Sequence, residues 1–224
     1  MSYLLLEYPP FGKDQIQKLR DRMTHNEILA RTFVHHLVDG AEYLHKKGFE
    51  GLNLCPEKLF FGSDFRLKID CYDLLFKYLH PPYEGVEDFR APEIINERVK
   101  DYKASDIYSI GVIVFMLVTG TTPYNERIEA DECDMMKHFN SGAKLYWELY
   151  DNYANSHAKL SNEFKDFVMK LVCKNPLKRM SFKEMREHPW YKAEVYQRNR
   201  LEKFFDTTKV TVVIDPLKEK FMNK

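Results

Sequence analysis

The segment from Ala104 to Val118 carries apolar side chains on nearly every face, and it constrains the fold more than any other. A helix that is apolar all round has to be surrounded by other elements, so we expect this one at the centre of a helical domain. Its longest apolar run, Ile110 to Val118, is shorter than the roughly 20 residues that a membrane-spanning helix needs. We therefore predict a buried core helix and no membrane insertion.

The composition is that of a folded domain without a dominant charge. The chain has 224 residues, of which 44% are hydrophobic, and 34 basic residues balance 34 acidic ones. That balance leaves no general basic face, so we expect no nucleic-acid partner. The start of the chain has no basic region or cleavage site typical of a signal peptide. Its cysteines form no CxxC pair, which predicts free thiols in a reducing, cytoplasmic compartment and no structural metal. They are Cys55, Cys71, Cys133 and Cys173.

Periodicity and capping residues predict a chain made mostly of helices with one early hairpin. Thr24 to Glu27 has the pattern of a capping box that opens a helix ending near Lys46, and Ser161 and Ser181 are predicted to cap later helices. The pattern predicts helices over 13–22, 104–118, about 129–139, about 143–153, 162–173, 182–187 and 191–205. It predicts strands over 3–8, 59–61 and 66–69, a long loop over 71–93, and a β-prone stretch over 209–214.

Seven short motifs follow one another along the chain in a distinctive order and spacing. They are Tyr3 to Pro10, Tyr43 to Gly48, Pro56-Glu57, Ala91-Pro92-Glu93, Asp106 to Gly111, Asn175 to Ser181 and His188-Pro189-Trp190. Over roughly residues 1–190 the chain therefore resembles a protein kinase C-lobe, closest in style to the calcium/calmodulin-dependent branch.

This resemblance implies a mainly α fold. We expect a kinase C-lobe-like helical domain with a small β-hairpin over residues 1–190, no N-lobe, and a C-terminal extension with a helix and a strand over 191–224. It also implies structural roles for particular residues. Glu93 and Arg179 would form a buried ion pair, and Asp106 would accept backbone N–H groups from the turn at the catalytic-loop position. Gly111 would permit close helix packing, and Trp190 belongs to the closing helices.

The positions that carry phosphoryl transfer in kinases hold other residues here. In kinases the catalytic loop has the sequence H-R-D-L-K-P-E-N, in which the Asp acts as base and the Asn binds magnesium. The aligned run 51–58 places Asn53 at the base, Cys55 at the lysine and Lys58 at the metal-binding Asn. Cys71 stands where the metal-binding Asp of D-F-G is expected. The resemblance thus implies a degenerate, catalytically inactive domain, a pseudokinase with no catalytic, cofactor or metal site.

Nucleotide binding is also not expected. The sequence has no G-x-G-x-x-G loop and no lysine strand of the V-A-I-K type, so the triphosphate would have no cover. Asp70 and Asp73 flank Cys71, and a shifted alignment would restore one carboxylate but neither Asn53 nor Lys58. We therefore expect no ATP cofactor.

The leading functional hypothesis is a protein-interaction scaffold or a structural subunit of a larger, multi-subunit assembly. The face on which a small lobe would dock is rich in apolar residues, and such a patch marks a surface covered by a partner protein or by the tail after Trp190. The 210–214 stretch is predicted to add a strand to a sheet edge. The candidate partner-binding residues are Leu4, Leu6, Phe60, Phe61, Leu75, Phe76 and Val212.

Three alternatives remain open from the sequence. The chain would act as a regulatory pseudokinase if a surface at Met135, Met136, His138 and Phe139 docks on an active kinase. It would be an enzyme with reassigned chemistry if Cys55 or Cys71 were an activated nucleophile, although no His–Asp pair lies nearby in sequence. It would be a fragment if a longer gene product supplies the small lobe, which would leave the replaced catalytic loop unchanged.

Overall fold

The computed structural model describes residues 15–71, 87–96, 101–123, 143–153 and 159–207. The helices are α1 (Gln15–Met23), α2 (Glu27–Lys46), α3 (Pro92–Ile95), α4 (Tyr102–Thr119), α5 (Ala143–Tyr153), α6 (Asn162–Leu171), α7 (Phe182–Glu187), α8 (Pro189–Lys192) and α9 (Arg198–Thr207). The strands are β1 (Leu59–Phe61) and β2 (Leu67–Ile69), and 3-10 turns lie at Pro56–Lys58, Glu87–Phe89 and Pro176–Lys178. The described part is thus mostly helical, with a two-stranded sheet. The predicted strand 3–8, the helix 129–139 and the stretch 209–214 lie outside the described residues.

Helix α4 forms the centre of the core, as its apolar sequence predicts. Every residue from Ser105 to Thr119 is buried, and the helix ends at Gly120 in the left-handed conformation with φ of 77°. It begins two residues earlier than predicted because the Asp101 side chain accepts the Ala104 N–H at 3.1 Å and caps it. Helix α4 is long and apolar enough to cross a membrane by length and composition alone. However, 83% of it is buried inside the fold, which is typical of a core helix.

Gly111 allows helix α6 to approach α4 closely. A Cβ at this position would lie 2.7 Å from the Leu171 Cβ and 2.7 Å from a methyl of Val172, which is closer than carbon atoms pack. The absence of a side chain at one α4 position therefore determines the distance between two helices.

Helix α2 begins with a different cap from the one predicted. Asn26, and not Thr24, is the N-cap, and its side chain accepts the Leu29 N–H at 3.0 Å. The Thr24 hydroxyl instead donates to the Arg20 carbonyl at the end of α1. Glu27 does not reach back to complete a capping box, because its carboxylate is used by distant partners described below.

Glu27 connects the start of α2 to two later helices. Its carboxylate accepts the backbone N–H of Ser161 at 2.8 Å and the Ser161 hydroxyl at 2.7 Å. The indole N–H of Trp190, which is 1% exposed, donates to the same carboxylate at 2.9 Å. One side chain therefore joins α2, the N-terminus of α6 and α8.

The hairpin follows its predicted pairing. β1 and β2 are antiparallel, with Leu59 opposite Ile69 and Phe61 opposite Leu67. In β1 the alternation of a strand buries Leu59 and Phe61 and leaves Phe60 partly exposed.

The later helix caps agree with their sequence signals. The Ser161 hydroxyl accepts the Phe164 N–H at 3.1 Å, and Ser181 with Glu184 forms a complete capping box. The predicted helix 191–205 is wrong as a single element, because α8 ends at Lys192 and α9 begins at Arg198. The chain between them is extended and bound to the fold, with the Tyr196 N–H donating to the Thr32 hydroxyl at 2.8 Å.

Glu93 and Arg179 form a bidentate ion pair between α3 and the turn after α6. The guanidinium donates to the two carboxylate oxygens at 2.5 and 2.8 Å, and the Arg179 side chain is 1% exposed. Arg179 also donates to the carbonyls of Cys173 and Ala104, each at 2.8 Å. Burial raises the pKa of Glu93, but the hydrogen bonds and charge of Arg179 outweigh it, so the pKa lies below its ordinary value.

Replacing Arg179 by Ala is expected to lower the free energy of unfolding by about 3–5 kcal/mol, because Glu93 would be left as an uncompensated, mostly buried charge. Urea denaturation followed by circular dichroism measures this loss. The matched control is Lys170→Ala, which removes a cation from Asp166 at 2.7 Å on the surface, where pairs contribute about 0–1 kcal/mol. Equal losses in the two variants would contradict the assignment.

Candidate functional site

The loop between α2 and β1, residues 47–58, is held by a buried carboxylate of α4. Asp106 is 2% exposed, and its oxygens accept the backbone N–H of Gly51 at 3.0 Å and that of Leu52 at 2.7 Å. This is the contact that the sequence predicted for Asp106. The loop position where kinases place their catalytic groups is thus fixed to the central helix.

His45 completes this arrangement and was missed in the sequence analysis. Its Nε2 lies 2.8 Å from the Asp106 carboxylate, and the His45 side chain is buried at the C-terminal end of α2. Burial raises the pKa of Asp106, and the hydrogen bonds from His45, Leu52 and Gly51 offset part of that rise. The position of His45 inside the Tyr43 to Gly48 motif was a signal that this side chain has a role.

Asn53, which the motif resemblance aligns with the catalytic base of kinases, has left-handed backbone geometry. Its φ is 50°, a conformation that asparagine adopts more readily than most residues, and it is half-buried. A side-chain amide is not basic enough to accept a proton from a substrate hydroxyl. Asn53 therefore suits the local backbone conformation, but its side chain cannot act as a base.

Cys55 and Lys58 both lie inside the protein. Cys55 is 3% exposed. Burial and the nearby charge of Glu57 together raise the pKa of its thiol to about 11. Lys58 is 5% exposed, and its Nζ donates to the Leu52 carbonyl at 3.4 Å. Lys58, which the motif resemblance places at a magnesium ligand, thus has a buried amine that contacts its own loop.

The hairpin brings the two expected metal positions next to each other. The Asp70 N–H donates to the Lys58 carbonyl at 2.7 Å, which places Cys71 one residue beyond this contact. The Cys71 thiol donates to the Ile69 carbonyl at 3.3 Å, and burial raises its pKa. Among the described residues, no three His, Cys, Asp or Glu side chains converge as a metal site.

The structure places two of the candidate partner-binding residues, and one of them, Phe61, is covered by the tail after Trp190, which is one of the two covers that the sequence predicted. Phe61 is fully buried, with its ring 4.8 Å from that of Phe33 and 5.0 Å from that of Phe205 in α9. It faces inward because strand alternation directs it to the same side as Leu59, whereas Phe60 is partly exposed. Leu4, Leu6, Leu75, Phe76 and Val212 lie outside the described residues.

Comparison with known proteins agrees with the resemblance inferred from the motifs. The yeast Saccharomyces cerevisiae Aurora kinase is 26% identical over 194 residues, covering 84% of this chain and 48% of that protein. The rice CBL-interacting protein kinase 26 is 26% identical, covering 85% of this chain and 37% of that protein. Rat myosin light chain kinase 3 is 27% identical, covering 84% of this chain and 23% of that protein.

The chain therefore spans about half or less of the length of these curated relatives. The family profile described as the protein kinase domain matches residues 1–191, which includes α1 through α7 and all but the last residue of α8. The chain belongs to the protein kinase domain family.

Proposed function

We propose that this protein is a catalytically inactive kinase-domain protein that works as an interaction scaffold or as a structural subunit of a larger protein assembly. The observation that carries the proposal is the buried amine of Lys58 at the position of a magnesium ligand. Magnesium in phosphoryl transfer is bound by oxygen ligands, above all carboxylates and phosphates. A cation at that position repels the metal instead of binding it.

The neighbouring substitutions support the same proposal. Asn53 supplies an amide where a base is required, and Cys71 supplies a protonated thiol where a carboxylate would bind metal. Loss of one catalytic group lowers a rate by about 10²–10⁴-fold, and here the base and both metal ligands differ together. Residual transfer would therefore have to proceed without the groups that position and neutralise the phosphates.

The contacts that maintain the fold are present, in contrast. Asp106 holds the loop, and Glu93 binds Arg179 with bidentate geometry. A chain that keeps its fold-stabilising contacts while its catalytic positions differ is well suited to a role that needs a shaped surface. We propose protein partners for that surface.

The purified protein is expected to show no phosphoryl transfer and no rise in Tm with Mg-ATP, because the metal positions hold Lys58 and Cys71. Differential scanning fluorimetry with Mg-ATP, and with ATP plus EDTA, measures binding. Lys58→Met serves as the matched variant, since it removes the charge and keeps the length of the side chain. A magnesium-dependent rise in Tm of the wild-type protein would contradict the proposal.

In extract of its own cells the protein is expected in a complex of fixed stoichiometry that survives high salt, since apolar contacts are not screened by ions. Cross-linking and native mass spectrometry measure the mass and name the neighbours. A free monomer would contradict the scaffold role. A chain that exchanges on and off an active kinase would favour the regulatory alternative over a structural subunit.

Cys55 is expected to react with iodoacetamide at pH 7 about 100-fold more slowly than free cysteine, because a thiol whose pKa is about 11 is rarely a thiolate at that pH. Mass spectrometry of the labelled peptide measures the rate, with Cys55→Ser identifying the modified position. The urea-unfolded chain is the control and should label at the ordinary rate. If Cys55 in the folded protein reacted faster than free cysteine, the result would contradict this prediction and support the alternative of an enzyme with a nucleophilic cysteine.

A further inference from the structure

The turn of the hairpin contains an aromatic residue in a conformation that favours glycine. Phe65 has a φ of 60°, and its N–H donates to the Gly62 carbonyl at 2.9 Å. A bulky side chain is uncommon in the left-handed region, because its Cβ crowds the backbone. Such a residue persists where the surrounding structure favours the side chain enough to offset the strain.

The Phe65 ring is half of a socket for a ring of helix α9. Phe205 stacks on Phe65 with centroids 5.1 Å apart and planes at 27°, and it meets Phe61 edge-on at 5.0 Å. Phe205 is 3% exposed as a result. We name Phe61 and Phe65 the aromatic socket.

Helix α9 depends on this socket for its stability. It has ten residues, fewer than the roughly 12–15 that an isolated helix needs to be even marginally stable in water. Its ion pair between Arg198 and Glu202 is exposed and contributes little. Among the side chains described for residues 198–206, Leu201 and Phe205 are buried, four residues apart on one face, and Phe204 is partly buried beside them.

The chain just before α9 is held independently of the socket. The Tyr196 N–H donates to the Thr32 hydroxyl at 2.8 Å, the Asn26 amide donates to the Tyr196 hydroxyl at 3.3 Å, and Arg31 donates to the Glu194 carbonyl at 2.6 Å. These contacts fix the segment before residue 197 on α2. If Phe205 left the socket, α9 would therefore move while the segment before residue 197 stayed bound to α2.

Helix α9 also forms one wall of a polar cleft of about 510 Å³. The opposite walls belong to α2 and to the hairpin turn, which contribute His36, Asp64 and Arg66, and the α9 side contributes Arg198 and Leu201. Movement of α9 would change this cleft together with the socket. The match to the kinase domain ends at residue 191, and helix α9 lies beyond it. Helix α9 is therefore outside the part of the chain that matches the family.

We propose that α9 is a detachable strap, held by Phe205 in the aromatic socket, and that Phe65 is kept in its left-handed conformation because its ring forms one side of that socket. Release of the strap exposes Phe61 and Phe65 and opens the cleft. The partner that fits the vacated socket is an amphipathic helix with an aliphatic and an aromatic side chain four residues apart, as in Leu201 and Phe205. That a partner helix replaces α9 in the socket rests on the proposed scaffold function. That α9 is a detachable strap does not.

Hydrogen–deuterium exchange of the full chain tests the strap. In Phe205→Ala and in Phe65→Gly, the amides of residues 198–207 are expected to exchange at least about tenfold faster than in the wild type, because α9 melts when it undocks. In Phe65→Gly the Tm is expected to stay within about 2 °C of the wild-type value, because glycine relieves the backbone strain. The double variant is expected to exchange no faster than Phe205→Ala alone.

The control variant is Leu177→Ala, which truncates a side chain that is 89% exposed and should leave exchange in α9 unchanged. Wild-type exchange of α9 in Phe65→Gly would overturn the proposal, as would additive effects in the double variant. Loss of protection in α4 along with α9 would also overturn it, since that indicates global unfolding. The chain is measured alone, without nucleotide or partner, so failure of the strap leaves the scaffold proposal to its own tests.

Discussion

The carboxylate of Asp106 is the constraint on which the geometry of the candidate site depends. It lies inside the central helix, where an unsatisfied charge would be costly, and it is satisfied by one imidazole and two backbone N–H groups. The same bonds that satisfy the carboxylate fix the loop that follows α2. Because α4 is buried on all sides, the loop is in effect anchored to the centre of the protein. The side chains carried by the loop can change while its backbone path stays in place.

Because Asp106 holds the loop through backbone N–H groups, the loop can carry residues such as Asn53 and Lys58 without losing these bonds. Asn53 takes the left-handed conformation that the turn requires, and Lys58 places its amine on the carbonyl of Leu52 within the same loop. Neither residue disturbs the contacts to Asp106. The loop is thus held by its backbone contacts to Asp106 and by the bond from Lys58 to Leu52.

The sequence predicted the elements whose signals are local. The all-apolar α4, the hairpin around Gly62, and the caps at Ser161 and Ser181 each follow from residues close together in the chain. The motif resemblance extended this to two long-range contacts, Glu93 with Arg179 and Asp106 with the loop backbone at Gly51 and Leu52.

What the sequence did not predict depends on partners far away in the chain. Glu27 reads locally as part of a capping box, yet it binds Ser161 and Trp190. The sequence left two covers open for the patch that contains Phe61, a partner protein or the tail after Trp190, because nothing near Phe61 distinguishes them; α9 of the tail is the one observed. The break between α8 and α9 likewise follows from the bond of Tyr196 to Thr32, which competes with a continuous helix and is not visible in local periodicity.

The contacts of Glu27 also determine the order in which the protein can fold during synthesis. They join residues separated by 134 and 163 positions, and Arg31 reaches Glu194 over another 163. A ribosome has to synthesise nearly the whole kinase-domain segment before these groups can meet, and contacts of such separation are slow to form. Helix α2 therefore lacks these native partners until α8 has been synthesised. Until then the nascent chain exposes apolar surface, and this delay is when it most needs a chaperone.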